Sequence, residues 1–208
     1  MTNRLKVRPT KSALLAARRE LVTLVHGHDL LERKRELLTR LVRQRLIQYR
    51  EIRRSASQTF HDAYHWLSIA HMRMGGLELR QAVLGLRPAL SVHILPRNSL
   101  GVEYPTVSVQ SAALQPIGLM GTDSSFDEAR ACMAALAVLL AQLGEAETAL
   151  WRLLAEQRKT QKRVNALKYN VIPRYRNTIR YVESLLVEEE RNSLFQLKVL
   201  RGLFKEPI

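Results

Sequence analysis

The chain has 208 residues, with 33 lysines and arginines against 19 aspartates and glutamates, a net charge of +14 and a pI near 10.6. A field of that sign favours acidic partners such as nucleic acid, anionic lipid or an acidic protein surface, and does not choose among them. A single cysteine, Cys132, excludes an internal disulfide framework and fits a reducing compartment, and no apolar run approaches the roughly 18–20 residues that span a bilayer.

The first residues, Met1 to Leu15, include basic groups but no continuous apolar core or small-residue cleavage site, so no signal peptide is expected. Glycine and proline then divide the chain. Six of the 9 glycines and four of the 7 prolines fall between Gly75 and Ser124, and neither occurs from His28 to Met74. The expected parts are a long helix in 1–74, a broken middle in 75–124 and a second long helix in 125–208.

The first helix is expected to begin after Arg8-Pro9-Thr10, with Thr10 or Ser12 as N-cap. A heptad frame runs from Leu14 through Ala17, Leu21, Leu24, His28, Leu31, Arg35, Leu38, Val42, Arg45, Tyr49, Ile52, Ala56, Thr59, Ala63, Trp66 and Ala70 to Arg73, and most of its slots are apolar. Spacing of 3.5 residues sustained for about nine heptads predicts a coiled coil, with the polar slots setting register. In the middle, Ala89 to Leu95 and Tyr104 to Val109 alternate as strands do. They predict a β-hairpin whose loop, Pro96 to Gly101, is longer than a tight turn. The closing helix opens on Ser125-Phe126-Asp127-Glu128, with the spacing of a capping box. Its frame takes Ala129, Met133, Leu136, Leu140, Leu143, Leu150, Leu154, Val164, Val171, Tyr175, Val182 and Leu185, and Pro173 should kink it or remove one hydrogen bond.

At 1.5 Å per residue the two helices would run roughly 95 and 120 Å, against a radius of gyration of about 17 Å for a compact chain of this length. With one apolar seam each and a single connector, they are expected to pair. The predicted fold is mainly α, a long antiparallel two-helix coiled coil with a small central head that holds the hairpin, away from the termini.

Chemistry is hard to find in the sequence. There is no Gly-Lys dipeptide and hence no phosphate-binding loop of the G-x-x-x-x-G-K-[ST] type, no G-x-S-x-G and no C-x-x-C. His61 and His65 stand at i and i+4, close to a zinc-binding H-E-x-x-H, but Ala63 between them occupies the seam and a two-helix rod supplies no cleft. No catalytic residue, cofactor or metal is expected, and Cys132 reads as a packed thiol. The positive charge concentrates in 1–74, which carry 16 basic and 6 acidic side chains. Its runs are Arg33-Lys34-Arg35 and Arg50 with Arg53-Arg54. The closing helix adds Arg158-Lys159 with Lys162-Arg163, and then Arg174, Arg176 and Arg180.

Two stretches carry a resemblance. Arg8-Pro9-Thr10-Lys11-Ser12-Ala13-Leu14-Leu15, followed by Gly27 to Leu38, is similar to the N-terminal helix of V-type ATPase D subunits. Thr160 to Leu167 (TQKRVNAL), Val171-Ile172-Pro173, Asn177 to Val182, Glu188 to Arg191 and Phe195 to Lys198 resemble their C-terminal helix. The resemblance implies a central rotor shaft of a V-type or A-type ATPase/ATP synthase. Such a shaft carries torque between the A/B catalytic hexamer and proton or sodium transport through the membrane ring, and makes no bonds itself. It further implies the A and B subunits, the F subunit and the funnel-shaped subunit above the ring as partners. The chain would sit on the cytoplasmic face of the membrane as a peripheral part of the complex, with no direct membrane insertion and no nucleic acid. Arg33, Lys34, Arg35, Lys162, Arg163, Arg174 and Arg180 are then the expected rotor–hexamer contacts, those of Arg33, Lys34, Arg35, Lys162 and Arg163 mostly polar and individually dispensable. The rival readings are a basic coiled coil that binds nucleic acid, against which stands the lack of aromatic interleaving in the basic runs, and an amphipathic protein of the membrane surface, against which stands a narrow apolar stripe.

Overall fold

The computed structural model describes residues 5–113 and 122–203; of the expected head, 114–121 lie outside them. The elements in chain order are helix α1 (Lys11–Met74), a short helix α2 (Gly76–Leu84), strands β1 (Leu90–Ser99) and β2 (Val102–Ser111), helix α3 (Ser124–Ala166), a π-helical turn (Leu167–Val171) and helix α4 (Ile172–Leu203). The fold is mainly α with one small antiparallel hairpin.

Helix α1 starts where Thr10 Oγ1 accepts the Ala13 N–H at 3.2 Å, which makes Thr10 the N-cap of the two candidates. It ends at Gly75, whose φ of 83° and ψ of 161° lie where a Cβ is not tolerated, and whose N–H closes on His71 O at 3.0 Å. Every heptad slot from Leu14 to Ala70 is buried or half-buried, and only Arg73, at the last slot, is exposed. The 3.5-residue period therefore identifies the inward face of α1. Helix α3 is capped by Asp123, not by the expected Ser125: the Asp123 carboxylate accepts both the N–H and the hydroxyl of Ser125. Ser125 is itself buried, and its hydroxyl is spent on that cap.

The chain divides into two compact units, one of residues 1–36 with 158–208, the other of residues 37–157. In the first unit, Lys11 meets Glu190, Arg18 meets Glu183 and Arg35 meets Gln161. Rising numbers on α1 face falling numbers on the closing helix, so the pairing is antiparallel. Leu5, ahead of α1, donates its N–H at 2.9 Å to the hydroxyl of Thr178, a buried residue that donates in turn to Arg174 O. The π turn lies in this unit. Its closing bond runs from the Ile172 N–H to Leu167 O, five residues back, immediately before Pro173, which has no N–H to give. The break in α-helical bonding is thus absorbed as one widened turn and the helix continues.

The second unit is also an antiparallel pair, with Gln157 bonded to Thr39 and Arg73 to Asp123. A third element lies against it. Val102 of β2 is buried with Leu38 of α1 and Leu153 of α3, and Leu41 and Val42 pack around them. The hairpin therefore lies along the helices. Its turn is the two residues Leu100-Gly101, with φ of 54° and 78°, closing Ser99↔Val102. That corrects the longer loop expected from Pro96. A bond from the Ala112 N–H to Ala89 O marks that pair as hydrogen-bonded, and alternation then makes Pro96↔Pro105 a non-hydrogen-bonded pair. Both prolines point their missing N–H outward, away from the partner strand, where a two-stranded ribbon does not need it.

Helix α3 carries the longest apolar stretch of the described helices. Within the continuous helix Ser124–Arg201, an 18-residue window reaches a mean hydropathy of 1.4, enough by length and composition to cross a membrane, and 11% of it is buried. The uncharged run Ala131–Gly144 supplies most of it, and Arg130 and Glu145, which bound that run, keep the apolar stretch short of a span when charges are not allowed inside it. Leu140, placed on the seam by the heptad frame, is 50% exposed in this stretch.

Candidate functional site

All seven basic residues expected as contacts belong to the first unit. Arg33, Lys162, Arg163 and Arg180 are exposed, while Lys34, Arg35 and Arg174 are half-buried. Arg35 occupies a seam slot and is held on both sides, by Glu32 one turn back and by Gln161 at 3.3 Å across the pair. That contact brings Arg33-Lys34-Arg35 to the same level as Lys162-Arg163. Arg174 and Arg180 form a second group roughly 16 Å or more further along the closing helix, by its rise per residue. Pro173 begins α4, directly after the π turn. His61 and His65, in the second unit, are both exposed and flank the buried Ala63.

Two ion pairs that join the helices of the first unit lie near the surface. Lys11–Glu190 at 2.7 Å and Arg18–Glu183 at 2.6 Å join residues that are half or more exposed for the most part. The hydrogen bond to Glu190, and then its charge, raise the Lys11 pKa. Between these two pairs, Leu14, Leu15, Leu186 and Val187 line a shallow apolar cleft of about 330 Å³. Past Glu190, which pairs with Lys11 of α1, residues 191–201 are all exposed. Leu194, Phe195, Leu197 and Leu200 among them are 52–67% exposed. Burial of such groups is worth about 25 cal/mol per Å², so this helix end is the place on α4 where a covering surface would gain most. The heptad frame ends at Leu185 and does not reach it.

In the second unit, polar side chains of α3 complete the hairpin. Glu145 accepts the Val107 N–H at 2.8 Å and Arg152 donates to Glu103 O at 2.8 Å. Both backbone groups belong to non-hydrogen-bonded pairs of the ribbon and so point away from β1. Glu145 and Arg152 stand two turns apart on α3, where a neighbouring strand would otherwise pair. Arg45 of α1 reaches the Tyr104 hydroxyl at 3.4 Å, beneath a ring that is almost fully buried. At the other end of the unit, hydrogen bonds from Ser125 and then Arg73 pull the Asp123 carboxyl down to about 2, so it stays ionised well below neutral pH. None of these groups forms a nucleophile–base pair, and among the described residues no cluster of three or more His, Cys, Asp or Glu side chains could hold a metal ion.

Comparison with known proteins agrees with a chain built for contact. The family described as the D subunit of ATP synthase matches residues 13–202. The D subunit of the A-type ATP synthase of Pyrococcus furiosus is 32% identical over 205 residues, covering 97% of this chain and 96% of that protein. The D subunit of the V-type ATP synthase of Thermotoga neapolitana is 30% identical over 198 residues, covering 95% and 98%. The D subunit of the A-type ATP synthase of Methanosphaera stadtmanae is 31% identical over 199 residues, covering 94% and 93%.

Proposed function

We propose a rotary role on one premise: the chain belongs to the family of ATP synthase D subunits. It is a stalk subunit of an A/V-type ATP synthase, a membrane-associated complex, and is not itself catalytic. In the finer reading, it is the central rotor shaft. Its two long helices, in 1–74 and 125–208, take torque from the A/B hexamer, and the head in 75–124 docks into the funnel-shaped subunit above the membrane ring, with the F subunit on its flank. The complex moves protons or sodium ions and holds the shaft peripherally on the cytoplasmic face.

The observation that carries this reading is the bare end of α4. Leu194, Phe195, Leu197 and Leu200 are an apolar surface that no other described residue covers, and in this reading the A/B hexamer covers it. The charged exterior of the first unit supports the same role. Exposed ion pairs are worth about 0–1 kcal/mol each, so Arg33, Lys34, Lys162, Arg163, Arg174 and Arg180 can exchange acidic partners as the shaft turns. A buried pair, whose breaking costs about 3–5 kcal/mol, would hold it at one angle. Arg35, tied to Glu32 and Gln161, serves the seam more than the exterior.

The test is assembly from purified subunits. The chain should join the A/B hexamer as a single copy, and single alanines at Arg33, Lys34, Lys162 or Arg163 should leave ATP-driven coupling intact. Failure to join the hexamer, or one such alanine that abolishes coupling in a fully assembled complex, would contradict the proposal.

A further inference from the structure

The end of α4 carries a face whose pattern is complementary to its own reverse. Val187, Glu190, Leu194, Leu197 and Arg201 follow one another at intervals of three, four, three and four. All five are exposed, and all belong to the first unit. Reversed about the midpoint between Leu194 and Leu197, the series sets each of these leucines against the other and sets Glu190 against Arg201. At its near end the face runs into the apolar cleft, since Val187, 59% exposed, lines that cleft together with Leu14, Leu15 and Leu186.

Charge is divided in the same sense. Three acids, Glu188, Glu189 and Glu190, precede the leucines, and Lys198 and Arg201 follow them; Arg191 is the one charge that does not keep to this division. Glu190 reaches Lys11 at 2.7 Å with a side chain still 58% exposed, so it can meet a second cation. Two such helices laid side by side in the same direction would set three acids against three acids. Laid in opposite directions, the acids of each meet the bases of the other. The stretch 191–201, exposed throughout, is also shorter than the length of about 12–15 residues below which an isolated helix is marginal in water. A covering helix therefore stabilises it.

We infer that in the free protein this face is covered by a second copy of the chain, paired antiparallel about a two-fold axis between Leu194 and Leu197. Spacing of three and four residues is what two helices need to interdigitate along one seam. The interface is isologous: each copy gives the other the same leucine contacts and the same pair of Glu190 with Arg201. Two-fold pairing uses the face completely, so assembly closes at two chains. A polyanion would meet Glu188, Glu189 and Glu190 beside the leucines, which disfavours nucleic acid as the occupant. In the complex proposed above, the A/B hexamer covers the same face. Dimer and assembled shaft then exclude one another, and the dimer shields the leucines until assembly. The inference concerns the chain alone and does not rest on the rotary reading.

Sedimentation of the purified full chain over a range of concentrations tests this. The measured mass should rise from one chain to two and stop there. Leu194→Asp/Leu197→Asp should hold it at one chain throughout. Arg201→Glu sets an acid against Glu190 of the second copy at both ends of the interface, so it should weaken the dimer by about tenfold. The charge reversal Glu190→Arg/Arg201→Glu should restore it, as only antiparallel pairing allows. Arg176→Glu, an exposed site on the same helix away from the face, should leave the dimer as it was. All the substituted positions are exposed, so helical circular dichroism should match the parent; if the leucine pair lowers it, the charge reversal alone decides. A single-chain mass at every concentration, growth beyond two chains, or a charge-reversed variant no tighter than Arg201→Glu would overturn the inference.

Discussion

Replacing Leu153 with alanine is expected to lower the unfolding free energy by about 2–5 kcal/mol, the range for emptying a fully buried leucine site. Leu153 has no exposed surface, and it joins three elements: α3, which carries it, α1 through Leu38 and β2 through Val102. The hairpin has few other apolar anchors, since eight of the ten residues of β1 are exposed. The backbone bonds from Glu145 and Arg152 would remain, but they orient the ribbon more than they hold it. The loss should therefore appear in two places. Urea unfolding should shift by the stated amount, and amide exchange across β1 and β2 should accelerate more than exchange in α1 near Leu14. Leu140→Ala, at a half-exposed site on the same helix, should cost well under half as much. A Leu153 variant as stable as the parent would show that the hairpin is not anchored there.

Enlarging Ala63 should cost about 1–3 kcal/mol, despite the added apolar surface. Ala56, Ala63 and Ala70 recur at seven residues on the buried face of α1, with exposures of 4%, 0% and 0%. Alanines one heptad apart on a buried face leave room for the facing helix to approach closely. The three extra carbons of Ala63→Leu have no space without moving that helix. Ala63→Gly, which removes one methyl and loosens the helix, should cost about 1 kcal/mol. A leucine variant that melts higher than the parent would indicate a loose seam at this level. The same residue separates His61 from His65, so its burial is why the two histidines face solvent.

Helix α1 is legible residue by residue because its inward face obeys one period against one partner. Helix α3 is less so. The heptad frame selects Leu140 and Leu154, whereas Leu153 and Ala149 are the buried residues beside Leu150. A straight helix drifts about 20° per heptad from a 3.5 repeat, and here β2 covers a second side of α3, which widens the buried face. That contact is invisible to local periodicity, since Glu145 and Arg152 serve backbone groups 38 and 49 residues away in sequence. The strands are legible in part. Pro96 marks a loop boundary in the sequence, and only the register shows that it faces Pro105 where neither needs an N–H. The short helix α2 has no counterpart in the sequence reading, as its nine residues bury no side chain and leave no periodic signal. The basic residues of the first unit stand out as a charge excess, but a charge excess cannot distinguish Arg35, committed to the seam, from Arg33 beside it.

The rotary role is tested most directly by watching this chain turn. A complex fixed to a surface through its catalytic subunits, with a bead on one introduced cysteine of this chain in place of Cys132, should show the bead rotating in one direction when ATP is supplied and stopping when it is removed. A bead that stays still while the same complexes hydrolyse ATP would contradict the account.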